Sequence, residues 1–341
     1  MEISAEDFLL TPESLRGYLA ERGLVKDPSQ LAVRELGGGV SNVVLLVEGP
    51  HGQWVAKQSL EKLRVEDDWR SSRDRIFREA AAIELLRPVL GATLPRLVHI
   101  NRKKYLYIMT AAPNGSTVWK QLLLDGEISL EIARQAGNLL AKIITASQAN
   151  EIFKETFSDR TVFDELRVDP YYRTTAMRDA DARKAIQRLI DDSWAIRTSL
   201  VHGDYSPKNM LVRGDNIFLI DFEVVHWGDP AFDAAFLLNH LMLKAFHRPG
   251  CTDRYFEAAR EFWKALAGCA GEAAGPRFEI MTVRHLGGLM LARIDGKSPV
   301  EYIQDDNTKT RIRRAARKIL LDTPDSLEQA WANLHREIVH Q

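Results

Sequence analysis

Apolar positions along the chain change their period between the two parts. From residue 31 to 60 they form short β-branched runs, LAVRELGG (31–38), SNVVLLVEG (41–49) and QWVAKQSL (53–60), which predict strands. Gly49-Pro50-His51-Gly52 supplies the turn between the last two. Upstream, Thr11-Pro12-Glu13-Ser14 predicts a helix start, with Thr11 as N-cap and Pro12 in the first turn. That helix spans about 8–23 and ends near Gly23. Downstream, RIFREAAAIELL (75–86) has helical spacing, and Pro88 is expected to help end it. RLVHIN and YLYIMT, on either side of Arg102-Lys103-Lys104, predict two more strands. Residues 25–110 therefore read as an antiparallel sheet with one main helix.

AAPNGST (111–117) has linker composition, and the pattern beyond it is helical from 118 to 195. Two short strands follow, NMLVR and NIFLID, joined by Gly214-Asp215. Helices resume from 231 to the end. A chain of 341 residues is long for one core. The expected class is α+β and bilobal: a β-rich lobe over 1–110, a hinge at 111–117 and a helical lobe over 118–341.

Composition narrows the function classes. Net charge is −1, which leaves no global footprint for a nucleic-acid partner. The basic run TKTRIRRAARK (308–318) carries Ile312, Ala316, Ile319 and Leu320 on one helical stripe, so it reads as a solvated helix face. Cys251 and Cys269 have neither metal-ligand nor CxxC spacing, which points to a reducing, cytoplasmic compartment. MEISAEDFLLTPES is acidic where a signal peptide is basic. AFLLNHLMLKAF is interrupted by His240 and Lys244, so no membrane partner is expected.

The chemistry concentrates in VHGDYSPKNMLVRGDNIFLIDFE (201–223). Asp204 can accept a proton from an attacking hydroxyl. Asn209, neutral and oxygen-bearing, can ligate a hard cation such as Mg²⁺ without adding charge. Asp221 ends the apolar strand IFLI, where a rigid carboxylate can bridge Mg²⁺ to phosphate oxygens. Base, amide ligand and metal carboxylate are the parts of a phosphoryl-transfer site. Each residue alone is an ordinary turn former; the ordered set, with His-Gly before it and Phe-Glu after it, is what carries the reading.

HGDYSPKN with IDFE resembles the aminoglycoside phosphotransferase and choline kinase superfamily, small-molecule kinases with a protein-kinase-like fold. GDPAFDAAFLLNH (228–240) is similar to that family too, and the likeness covers about residues 30–300. It implies a phosphate-covering loop at Gly37, Gly38, Gly39, Ser41 and Asn42. It also implies a strand lysine, Lys57, and a helix glutamate to pair with it, Glu79, with Glu84 as rival. Met109 and Ala111 would lie against the nucleotide base. His202 would brace the loop, and Asp233 would cap its helix and hydrogen-bond the catalytic loop. Glu223 replaces the glycine of the protein-kinase motif and is left open between a second metal and a local network. The implied cofactors are ATP or GTP with Mg²⁺.

Departures from protein kinases bear on the substrate. The arginine that reads activation-loop phosphorylation is absent, and Asp229-Pro230 follows Asp221 too closely for an activation segment. No GxxxxGK[ST] motif occurs. The expected activity is phosphorylation of a hydroxyl on a small molecule, aminoglycoside-, sugar- or amino-alcohol-like. The alternatives are a non-catalytic nucleotide-binding protein on the same fold and a protein kinase. Candidate acceptor residues are Asp229, His240, Arg284, His285, Arg293, Asp295 and the loop 295–299. Arg284, His285, Arg293 and Lys297 argue against a polycation, leaving a neutral or anionic, sugar-like compound.

Overall fold

The computed structural model describes residues 8–37, 41–50, 52–64, 69–274 and 276–339. The chain divides into two units, Met1–Asn114 and Gly115–Gln341.

In the first unit, α1 (Pro12–Glu21) opens on a reciprocal cap: Ser14 N donates to Thr11 Oγ1 at 3.1 Å and Thr11 N donates to Ser14 Oγ at 2.8 Å. Strands β1 (Ala32–Glu35), β2 (Asn42–Gly49), β3 (Gly52–Ser59), β4 (Leu97–Asn101) and β5 (Leu106–Thr110) form one antiparallel sheet in the order β1-β2-β3-β5-β4. Leu15, Tyr18 and Leu19 of α1 cluster with Val43, Leu45, Val47 and Ala56. Lys57, next to Ala56, therefore points to the other face, which α2 (Arg75–Leu90) covers.

Helix α2 runs through Pro88 rather than stopping before it, and ends at Gly91 with φ 58°. The ring removes one late hydrogen bond, to the carbonyl of Glu84, and Glu84 is exposed where water can replace the lost partner. Glycine, free to take positive φ, makes the stop.

In the second unit, the expected linker contains a strand, β6 (Thr117–Val118). It is followed by α3 (Trp119–Asp125), α4 (Leu130–Gln148), α5 (Glu151–Phe157), α6 (Thr161–Phe163), a π-helical stretch Asp164–Arg173, α7 (Thr174–Arg178) and α8 (Arg183–Ala195). Pro170 sits inside the π-helical stretch, where it cannot donate to the usual ladder, and Thr174 N reaches back to Asp169 O. Strands β7 (Ser199–Val201), β8 (Met210–Arg213), β9 (Asn216–Leu219) and β10 (His226–Gly228) form two small sheets, β6-β8-β9 and β10-β7. The pairings of β6 with β8 and of β7 with β10 join strands distant in sequence, and neither carries a local signal.

Helices α9 (Ala231–His247), α10 (Thr252–Ala270), α11 (Pro276–Asp295), α12 (Asp306–Asp322) and α13 (Leu327–Val339) complete the unit. Helix α9 is buried from Ala231 to Phe246. Helices α4 and α10 pack at Gly137, where a Cβ would lie 2.2 Å from the Phe262 carbonyl oxygen. The stripe Ile312, Ala316, Ile319 and Leu320 of α12 is buried as expected. Its basic face is only partly solvated: Arg313 pairs with Asp295, Arg314 with Glu337 and Arg317 with Asp179. Among the described residues, no helix is long and apolar enough to cross a membrane.

Candidate active site

In the first unit, Lys57 Nζ lies 2.7 Å from Glu79 Oε2, with side chains only 6% and 1% exposed. The register explains the pair: Lys57 sits on the central strand β3, opposite Val44 and Tyr107, on the face turned to α2. Glu84, the rival, is exposed. Asn42 Nδ2 donates to Ser41 Oγ at 3.0 Å, and the Ser41 carbonyl accepts from buried Arg75. Gly37 is exposed; Gly38 and Gly39 lie outside the described residues. Met109 pairs with Val55, and Ala111 N donates to Gln53 O at 3.0 Å.

In the second unit, the hairpin β8-β9 answers the spacing of the motif. Met210 pairs with Leu219, and Ile220 N donates to Asn209 O at 3.0 Å. Asn209 thus stands at the start of one strand and Asp221 just beyond the end of its partner. Asp221 has φ 72°, a left-handed conformation that aspartate tolerates better than most side chains. Asn209 Nδ2 donates to the Asp204 carbonyl at 2.9 Å, which leaves the amide oxygen as the end suited to ligate a cation. Asn209 and Asp221 offer hard oxygen donors, and Mg²⁺ in nucleotide sites commonly uses one or two carboxylates with the phosphates. Glu223 lies two residues on, 7% exposed.

Asp204 is 7% exposed. Arg167 Nη2 lies 3.0 Å from Asp204 Oδ2, and Lys208 Nζ lies 3.6 Å from the same oxygen. Burial by itself would raise the carboxyl; Arg167 and then Lys208 outweigh it and hold Asp204 well below the usual carboxylate range. Arg167 also donates from Nε to the Gly203 carbonyl at 2.7 Å. No sequence motif marks Arg167: it lies in the π-helical stretch and reaches the loop only through folding. Lys208, on the motif itself, carried no assigned role in the sequence.

The loop is braced from behind. Asp233 accepts from His202 N at 2.6 Å and from Gly203 N at 2.9 Å. It makes no side-chain cap on α9; Asp229 takes that place, accepting from Ala231 N at 3.0 Å. Burial pushes Asp233 up to about 7, against its two amide bonds. His202 accepts from Asp204 N at Nδ1 (3.2 Å), which makes Nε2 the donor to Ile220 O at 3.2 Å. Burial pushes this imidazole down to about 4, against the pull of Asp204 and Asp221, so it is neutral. Gly203 has φ 78°, and a Cβ there would lie 2.7 Å from the Val224 carbonyl oxygen.

Most of the expected acceptor residues are engaged internally. Arg284 pairs with Asp192, Asp295 with Arg313 and Lys297 with Asp169. His285 is fully buried between Tyr172 OH (2.7 Å) and Asp229 Oδ2 (3.2 Å). His240 and Arg293 are not so committed to carboxylates.

A family model described as "Phosphotransferase enzyme family" matches residues 32–269. The chain is 25% identical over 252 residues to methylthioribose kinase 2 of Oryza sativa subsp. japonica, an alignment covering 66% of this chain and 59% of that protein. It is 26% identical over 278 residues to the methylthioribose kinase of Escherichia coli O45:K1 (strain S88 / ExPEC), covering 71% and 65% respectively. The match thus spans about three fifths of those relatives' own length. Among solved structures, the amicoumacin kinase hAmiN in complex with AMP-PNP and Ca²⁺ superposes with a TM-score of 0.54 at 14% identity, covering 92% of this chain and 97% of that one.

Proposed function

The chain belongs to the phosphotransferase enzyme family, and from that premise we propose that it transfers the γ-phosphoryl group of ATP to a hydroxyl of a small, sugar-like molecule. The observation that carries the reading is the convergence of Asp204, Arg167 and Asn209 on one braced loop, with Asp221 at the far end of the adjoining hairpin. The kinase titles of the relatives, and the nucleotide analogue and divalent cation in the amicoumacin kinase complex, support it.

Asp204 orients the acceptor hydroxyl. Its carboxylate is held low by Arg167, so it is a weak base. That suits phosphoryl transfer, in which a loose transition state asks for little proton abstraction early on. The hydroxyl oxygen forms its bond to the γ-phosphorus as the bond to the β–γ bridging oxygen breaks, ADP leaves, and the hydroxyl proton passes to Asp204. Asn209 and Asp221 would hold Mg²⁺, which neutralises phosphate charge when bound. Lys57, fixed by Glu79, would hold the α- and β-phosphates.

ADP release from Mg-ATP and from Mg-GTP tests this against methylthioribose, ribose, choline, ethanolamine and an aminoglycoside. One acceptor should raise the rate well above the basal hydrolysis, and Asp204→Asn should abolish the increase while still binding Mg-ATP. An Asp204→Asn variant with undiminished turnover would remove Asp204 from the mechanism. A wild-type protein that does not bind Mg-ATP at all would remove the kinase reading.

A further inference from the structure

Resting on that reading, we infer that the acceptor is an anionic hydroxy compound, its carboxylate or phosphate held by Arg293 and Tyr302 in front of Lys244. An unbroken series of contacts leads there from Asp204. Arg167, paired with Asp204, lies 5.7 Å over the rings of both Tyr171 and Phe236. Tyr171 accepts from Arg293 Nη1 at 3.3 Å. Phe236 lies 5.4 Å from the His240 ring in a tilted contact, the His240 carbonyl accepts from Lys244 Nζ at 3.3 Å, and Lys244 lies 5.2 Å from the Tyr302 ring.

The polar atoms left over in this cluster can all donate, although Arg293 already spends Nη1 on Tyr171 OH and on the Ser298 carbonyl and hydroxyl. Arg293 Nε and Tyr302 OH are buried without a hydrogen-bond partner. Lys244, 0% exposed, uses one of its three N–H groups, on a carbonyl rather than a carboxylate. The nearby carboxylate, Glu301, is committed to Lys120. Of the groups that face Lys244, then, Lys120 and Arg293 are cationic, His240 is kept neutral by burial, and Glu301 is already neutralised. Burial pushes Lys244 down to about 7, with Lys120 and Arg293 adding to the effect. Buried donors without acceptors, and cations without a counter-ion, are costly in a finished interior. An entering anion would satisfy both. Arg293 and Tyr302 keep part of their surface in solvent although Nε and OH are buried, whereas Lys244 is fully buried, so an anion would reach the first two residues before Lys244. A cationic acceptor would be repelled.

One sugar skeleton carries the test. Thermal melting of the intact chain is followed with glucose, glucosamine, gluconate and glucose 6-phosphate, and separately with Mg-ATP. Gluconate or glucose 6-phosphate should raise the Tm more than glucose or glucosamine, and whichever does so identifies the anion as carboxylate or phosphate. Lys244→Met, of similar volume, should weaken the apparent Kd for that anion at least tenfold and leave the Mg-ATP response unchanged. A glucose or glucosamine shift equal to or above that of the acids overturns the inference on the wild-type protein alone, whatever the variant's folding. So does a Lys244→Met protein that binds the acid as tightly as wild type. If Mg-ATP stabilises and the acids do not, this inference fails and the kinase reading stands. If the acids stabilise and Mg-ATP does not, the kinase reading fails and the anion site stands.

Discussion

Arg167 holds Asp204 across a 3.0 Å ion pair in which both side chains are 10% exposed. Replacing Arg167 by Met leaves a buried carboxylate without its main counter-charge, which costs about 3–5 kcal/mol. The pH dependence should shift. In the wild type the folded pKa of Asp204 is depressed, so its stabilisation is complete above the unfolded pKa and is lost only as pH falls through the lower folded value. In Arg167→Met burial is opposed mainly by Lys208, so the carboxyl rises from its wild-type position and the stability it contributes is lost at higher pH than in wild type. Urea melts across the acid range read the displacement directly. The acid limb of kcat should move to higher pH in the same variant, and an unmoved limb would show that Arg167 does not tune Asp204.

His202 and Asp233 titrate with opposite consequences. His202, down to about 4, adds stability that is full above pH 6.5 and is lost as pH falls toward 4. Asp233, up to about 7, adds stability that is full near pH 4 and is lost as pH rises toward 7. Each is worth roughly a few kcal/mol, and together they flatten the wild-type profile. His202→Gln should therefore melt at progressively lower urea as pH rises from 4 to 7. Asp233→Asn should do the reverse, and parallel profiles in the two variants would contradict the assignment.

The Lys57–Glu79 pair separates folding from ligand binding. Lys57→Met removes the ammonium paired with Glu79, which is 1% exposed, and should cost about 3–5 kcal/mol. Lys57→Met/Glu79→Leu removes both charges and should recover most of that loss. It should nevertheless bind Mg-ATP at least tenfold more weakly than wild type by calorimetry. Normal nucleotide affinity in the double variant would rule out Lys57 as the phosphate ligand.

Gly203 is required by both conformation and space. With φ 78° and the Val224 carbonyl 2.7 Å from where a Cβ would stand, Gly203→Ala should lose about 1–3 kcal/mol and displace Asp204. The expected outcome is a lower Tm with at least a tenfold drop in kcat. Wild-type kinetics in Gly203→Ala would mean that the loop absorbs the change without moving its carboxylate.

Local sequence sufficed where a single segment carries the physics. The short apolar runs over 41–60 determined β2 and β3, Thr11-Pro12 determined the start of α1, and the stretch holding Asp204, Asn209 and Asp221 determined a loop and hairpin, since turn chemistry and period act within a few residues. Pro88 misled because the end of α2 is set by Gly91, and a proline in a last turn loses only a hydrogen bond that solvent can replace. The resemblance implied Asp233 as a partner of the loop at 202–204, but nothing local marked it as a residue that leaves its own helix uncapped, because the amides it accepts from are 30 and 31 positions away. Arg167, the strands β6, β7 and β10, and the donor cluster of Arg293, Tyr302 and Lys244 were decided only by tertiary structure. Each depends on which distant groups are left to satisfy one another once the backbone is buried, and no local pattern of residues encodes that remainder.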